Sequence, residues 1–277
     1  MVAAVVIATA VVSAPALPAP APGDTPWSAA DPRLAAEARA GSPIVTFLHV
    51  PLCSNRMIDC GSEIAGRAGD PSKNIYWGAI FGARRFFERR TSPWIRVEER
   101  PWDGRTERVV YRLQTGGKAW GVDREVETLV VLQATHGDAI DSVVDDFWKT
   151  ATQGGTVTFS DGGRERSARI SAVGYAGHNR LMDGKRLPAV GAGGAPIPSF
   201  VVACKSEPWF GPSLRQAGSV PLLTTRELMA PEGYVLDAVA RSMAANGSAR
   251  AIRRAAIDAY RSWQRIEERQ AAWVFAP

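Results

Sequence analysis

The chain has 277 residues, 45% of them hydrophobic and 22% charged, with a formal net charge of +5. This composition is ordinary for a globular protein with a sizeable core and excludes a disordered or fibrous class. The basic balance comes from scattered arginines, not from one Lys/Arg block, so no nucleic-acid partner is expected.

At the N-terminus, Val2 to Val12 is an apolar run followed by an Ala/Pro-rich tract. The run is too short to cross a bilayer as a helix and suits the apolar part of a signal peptide, with small residues at Ala14 and Ala16 for cleavage. No Lys or Arg precedes it, which leaves that role to the α-amino group or to a longer leader. Export of a bacterial type, periplasmic or secreted, is the expectation, with membrane contact confined to this segment. Residues 1–43 read as signal-like segment and linker, with a short helix from Asp31-Pro32, and residues 44–277 as one α/β domain. The chain has three cysteines. Cys53 and Cys60 flank one loop and are able to pair in an oxidising compartment, which leaves Cys204 as the odd thiol.

In chain order, Ile44 to Val50 is a buried strand, bounded by Pro43 and Pro51. A long loop follows to Asp70-Pro71. Asn74 to Arg90 has apolar residues at helical spacing and cations at its far end, so a helix is expected. Trp94 to Glu98 and Arg108 to Gln114 alternate as strands do. Glu127 to Thr135 is a continuous apolar run, suited to a strand covered on both faces. Ile140 to Thr152 reads as a helix. Val157 to Phe159 and Arg169 to Tyr175 read as a hairpin around Asp161-Gly162-Gly163. Phe200 to Ala203 and Val220 to Thr224 are short strands. Helices from Pro231 to Ala245 and after Ser248 close the chain. Strands alternating with helices predict a mainly parallel sheet with helices on both faces, a three-layer α/β sandwich.

In such sheets, function gathers in loops beyond the carboxyl ends of the strands. The loops after Val50, Thr135, Tyr175 and Ala203 hold all three cysteines and two of the three histidines. His178 and Cys204 follow successive strands. A thiol nucleophile needs a nearby imidazole to take and return its proton, and donors for the oxyanion. The amides of Lys205 and Ser206, beside a helix start, are candidate donors. Gly177 gives the backbone freedom to present His178.

The segments VVACKSEPWF and ISAVGYAGHNRLMD resemble the nucleophile and histidine strands of the caspase-like clan of cysteine peptidases, which includes legumains and gingipains. The order of strands and helices from about residue 44 to 226 is similar too. The resemblance implies a caspase-like fold and peptide-bond hydrolysis, with Cys204 as nucleophile, His178 as acid/base and the Gly177 amide at the oxyanion. The clan has Gly directly after the histidine, whereas here Gly177 precedes it and Asn179 follows. His136-Gly137 has the usual order, which makes His136 the competing base.

Trp209, close to Cys204, and Ser206 are candidate substrate contacts, and Asp59 and Asp70 are candidates for selecting a basic side chain. Metal ligands at recognised spacing are missing, Gly191-Ala192-Gly193-Gly194 lacks the Lys-Ser/Thr of a phosphate loop, and no G-x-S-x-G elbow occurs. The sequence therefore points to a peptide or protein substrate with no cofactor and no metal. The rival reading is a non-catalytic binding or scaffold module of the same fold.

Overall fold

The computed structural model describes residues 24–276. The strands are β1 (Ile44–Pro51), β2 (Ile95–Arg100), β3 (Thr106–Thr115), β4 (Val126–Thr135), β5 (Thr156–Asp161), β6 (Arg164–Arg169), β7 (Ala172–Ala176), β8 (Ser199–Val202) and β9 (Pro221–Leu223). The helices are α1 (Pro32–Ala40), α2 (Ala83–Phe87), α3 (Ile140–Gln153), α4 (Ser206–Gln216), α5 (Gly233–Ala244), α6 (Ala249–Gln264) and α7 (Glu268–Val274). A seven-stranded sheet in the order β2-β3-β4-β1-β7-β8-β9 forms the middle layer. The five strands from β4 to β9 in that order are parallel, and β2 and β3 extend one edge as an antiparallel pair. The expected α/β architecture, a mostly parallel sheet with helices on both faces, is what the chain forms.

Alternation along the buried strands sorts two cores. Leu48, Val50, Ala176, Phe200 and Val202 face α5 and α6, together with Phe86 and Phe87 of α2. Val45, Phe47, Tyr175, Val201 and Ala203 face α3 and α4, where Phe147 and Phe210 fill the layer. Every residue of β1 is buried, as expected for a central strand covered on both sides. The chain reverses its direction across the sheet between β1 and β7, so the crevice at their carboxyl ends is the natural place for a site.

Three expectations need correction, and one helix, α4, is legible in the sequence only at its start. The helix expected over Asn74 to Arg90 shrinks to α2. The Asn74 side chain bonds the amide and carbonyl of Cys53 and also accepts from the Tyr76 amide, which turns the chain instead of letting it wind. A Cβ at Gly78 would lie 2.3 Å from the Ser72 carbonyl, so the turn needs glycine there. The hairpin around Gly162-Gly163 pairs β5 with β6, and β7 is a separate strand of the main sheet. The linker gives way to folded structure well before residue 44: Trp27 is buried and its indole donates to the Met243 carbonyl at 2.8 Å, while Leu34 and Ala38 of α1 pack into the core. The breaker residues Pro208 and Pro212 hide α4, although Pro208 stands in the first turn, where no amide donor is required. The apolar run Val2 to Val12 lies outside the described residues. Among the described residues, no helix is long and apolar enough to cross a membrane.

One histidine pays a folding cost that the sequence did not single out. His49 of β1 is buried, its Nε2 has no hydrogen-bond partner, and burial depresses its pKa to about 3. The unfolded chain binds this proton near the ordinary value of 6.5, so the folded state loses stability as pH falls from about 6.5 towards 3. Each pH unit in that window costs about a factor of ten in the folding constant. His49→Leu should remove this part of the acid sensitivity. Denaturant unfolding of both proteins between pH 7 and 4 measures it, and parallel curves would refute the assignment.

Candidate active site

The parallel ladder between β7 and β8 sets the site. Tyr175 pairs with Val201 and Ala176 with Val202, so Gly177-His178 and Ala203-Cys204 leave the two strands level with one another. Close packing holds this register: a Cβ on Gly174 would sit 2.4 Å from the Phe200 ring, and one on Gly177 would sit 2.7 Å from Pro51 Cγ.

His178 is held from two directions. Its backbone carbonyl accepts from the buried Tyr175 hydroxyl at 2.6 Å, and its ring Nε2 lies 2.6 Å from Asp183 Oδ2. Arg180 donates to the same carboxylate at 2.7 Å and to Asp141, in the first turn of α3, at 2.8 Å. Burial works against the charge of Asp183, but the hydrogen bonds from His178 and Arg180 outweigh it and hold the carboxyl below its ordinary range. With Nε2 engaged by a carboxylate, Nδ1 is the nitrogen left to accept a proton.

Cys204 is the free thiol, since Cys53 and Cys60 form the expected disulfide. It is half-buried and enters a sharp strand-to-helix turn, in which Lys205 takes left-handed angles (φ 46°, ψ 41°) before α4 begins. The thiol donates to the Met229 carbonyl at 3.2 Å, and the Met229 amide approaches Sγ at 3.4 Å. The amides expected at the oxyanion are engaged elsewhere. Lys205 N donates to Glu227 O at 3.0 Å, Ser206 N to Thr225 Oγ1 at 3.1 Å, and Gly177 N to Val202 O at 3.3 Å. Ser206 itself is fully buried, its hydroxyl bonded to Val201 O, so it braces the turn and does not face a ligand.

The two reactive groups leave level strands but find partners on opposite sides of the sheet. The Asp183–Arg180–Asp141 chain leads from His178 to α3, whereas Met229 belongs to the core under α5 and α6. Asn179, fully buried, ties the loops together: its Nδ2 donates to the Cys204 carbonyl at 2.6 Å and its Oδ1 accepts from Leu181 N at 3.1 Å.

On the thiol side stand three groups that sequence reading passed over. Burial, and then the charges of Cys204 and Glu232, push the Tyr76 hydroxyl well above its usual range, so it stays protonated. No hydrogen bond among the described residues uses that hydroxyl. Burial also raises Glu232, against hydrogen bonds from Tyr234 and Gln264, and Tyr260 rises through burial and the charges of Glu232 and Cys204. Neither Tyr76 nor Glu232 lies at the carboxyl end of a strand, so nothing in the local sequence marks them.

No family model, curated protein or solved structure matches this chain. The site is therefore read from its own geometry. His136 caps the turn before α3 through Asp138 N and lines a cavity of 430 Å³ with Ser54, Arg56 and Asp138. Two strands, β1 and β7, separate its strand from β8, a distance of about 14 Å by strand spacing. Asp59 and Asp70 accept from the amides of Gly61 and Ser72 and so cap their own turns. Trp209 is 43% exposed at the start of α4 and remains available to a ligand. Among the described residues, no group of three or more His, Cys, Asp or Glu side chains is arranged to hold a metal.

Asn179→Ala should cost about 1–3 kcal/mol of stability, the usual cost of leaving a buried carbonyl unpaired. Urea unfolding of the variant measures this, and an unchanged midpoint would show that the bridge from Asn179 to Cys204 contributes nothing.

Proposed function

We propose that the chain is an exported thiol hydrolase with a caspase-like arrangement, cleaving peptide bonds through Cys204 with His178 as acid/base. The observation that carries this reading is the in-register pair of strands β7 and β8. They deliver a carboxylate-backed imidazole and the one unpaired thiol from neighbouring ends. Cys53–Cys60 pairing supports an oxidising compartment, and the apolar run at Val2 to Val12 supports export.

In the proposed reaction, His178 Nδ1 takes the thiol proton while Asp183 stabilises the imidazolium. The sulfur adds to the scissile carbonyl carbon, and the π electron pair moves to oxygen. With the amides of Gly177, Lys205 and Ser206 already engaged, the Tyr76 hydroxyl is the donor best suited to that oxyanion. His178 returns its proton to the departing amine, and water then releases the acyl group. The reading requires Sγ to leave Met229 and approach Nδ1, since the two groups now find partners on opposite sides of the sheet.

The second reading, a non-catalytic envelope binding or scaffold module, is favoured by the thiol's two contacts with Met229 and by the engaged amides. Cleavage of a peptide library separates them. Wild type should cut, Cys204→Ala should not, and His178→Ala should lose on the order of 10²–10⁴ in kcat/KM. Tyr76→Phe should lose about 10²-fold or more in kcat, the scale for one oxyanion donor. Cleavage that survives in Cys204→Ala would end the thiol reading, and a folded wild type that cuts nothing would favour the scaffold.

A further inference from the structure

Residues 226–232, between β9 and α5, have no regular structure and run across the carboxyl end of the sheet. Met229 in this strap meets Cys204 Sγ with both of its backbone groups, at 3.2 and 3.4 Å, and the Glu227 carbonyl takes the Lys205 amide at 3.0 Å. The strap thus holds the nucleophile and also the first amide beyond it.

The strap is fastened in turn to the C-terminal segment. Arg226 N donates to Val274 O at 2.7 Å, and the Trp273 indole donates to Glu227 Oε1 at 2.9 Å. The Arg226 guanidinium lies over the Trp273 ring, 4.8 Å from its centre. Further back, Ala276 N donates to Thr224 O at 2.9 Å, and Thr225 bridges to Phe275. The core-facing end of this fastening is buried, but its clasp is at the surface. Trp273 is 60% exposed and Leu228, between the two strap residues that grip the thiol loop, is 63% exposed. The strap lacks a ladder of its own, so the few main-chain bonds and the exposed clasp that hold it, with the buried Met229 as an anchor, cost less to open than the sheet beneath it.

We infer that the strap is a releasable cover over Cys204, latched by Trp273 on Glu227 and Arg226. In the resting chain the thiol is occluded, and unlatching frees Sγ together with the Lys205 amide. The purpose of the cover rests on the thiol-hydrolase reading, but its existence does not.

Alkylation of the full, disulfide-intact chain by iodoacetamide, followed by intact mass, tests the latch. Wild-type Cys204 should react at least tenfold more slowly than the same thiol in the urea-unfolded chain. Trp273→Ala and Glu227→Ala should each raise the native rate roughly fivefold, the worth of about one hydrogen bond. Leu228→Ala, which makes no latch contact, and the core change Val157→Ala, in the cluster on the other face of the sheet, should leave the rate unchanged. Should Trp273→Ala fail to fold, Glu227→Ala alone carries the test. A native thiol as reactive as the unfolded one overturns the inference, as does a latch variant with the wild-type rate or an equal acceleration by Val157→Ala. Peptide cleavage by the same proteins keeps the readings apart. An unchanged alkylation rate with cleavage that depends on Cys204 removes the cover alone, whereas a working latch on a chain that cleaves nothing removes the hydrolase.

Discussion

Two buried hydroxyls, on Ser206 and Thr225, decide how the reactive end of the sheet is built. Ser206 Oγ donates to Val201 O at 2.8 Å and accepts from Thr225 N at 2.9 Å, while Thr225 Oγ1 accepts from Ser206 N and donates to the Ala203 carbonyl. The knot closes the end of β8, the start of α4 and the end of β9 in one place. Unpaired, those desolvated groups would cost about 1–3 kcal/mol each. With both sides pinned, the residue between them has to turn the chain alone, which places Lys205 in a left-handed conformation costing a non-glycine residue about 1–3 kcal/mol. The same knot takes up the amide that a helix start would otherwise offer to an anion.

The second constraint is the thickness of the sheet. Because β7 and β8 are buried on both faces, their ends face two layers of different character. The α3 side offers Asp141, Arg180 and Asp183, a charged relay that captures the imidazole. The α5/α6 side offers Met229, Tyr234, Val235 and Ile252, an apolar layer that accepts a thiol more readily than an ion. A level register therefore brings the two backbones together without yet joining the side chains. The strands are fixed by their ladders, whereas residues 226–232 have none.

Much of this was legible in the sequence, because burial leaves a pattern. The unbroken apolar runs of β1 and β4, the short runs ending at His178 and Cys204, and the cap at Ser248 all follow from local periodicity and local chemistry. The Cys53–Cys60 pair followed from spacing and the signature of export. What escaped depends on side chains that bond backbone far away in sequence. Asn74 turns an amphipathic stretch by gripping Cys53, Asn179 grips Cys204, and Thr225 grips Ser206 across nineteen or more residues. Such bonds have no period and no characteristic spacing. The helix over Asn74 to Arg90 was overestimated for this reason. The substrate roles given to Asp59 and Asp70 were legible only as charge, and their oxygens turn out to cap local turns.

The chemistry on the thiol side follows from the same burial. Tyr76, Tyr260 and Glu232 share one apolar layer with Cys204, and in each the desolvation of the charged form comes first among the causes of its raised pKa. Two phenols that keep their protons and a carboxyl drawn towards its neutral form make this layer rich in donors and poor in fixed charge. Across the sheet, Arg180 and His178 keep Asp183 ionised. The sheet thus separates a side built of charged, hydrogen-bonded groups from one where burial favours the neutral forms.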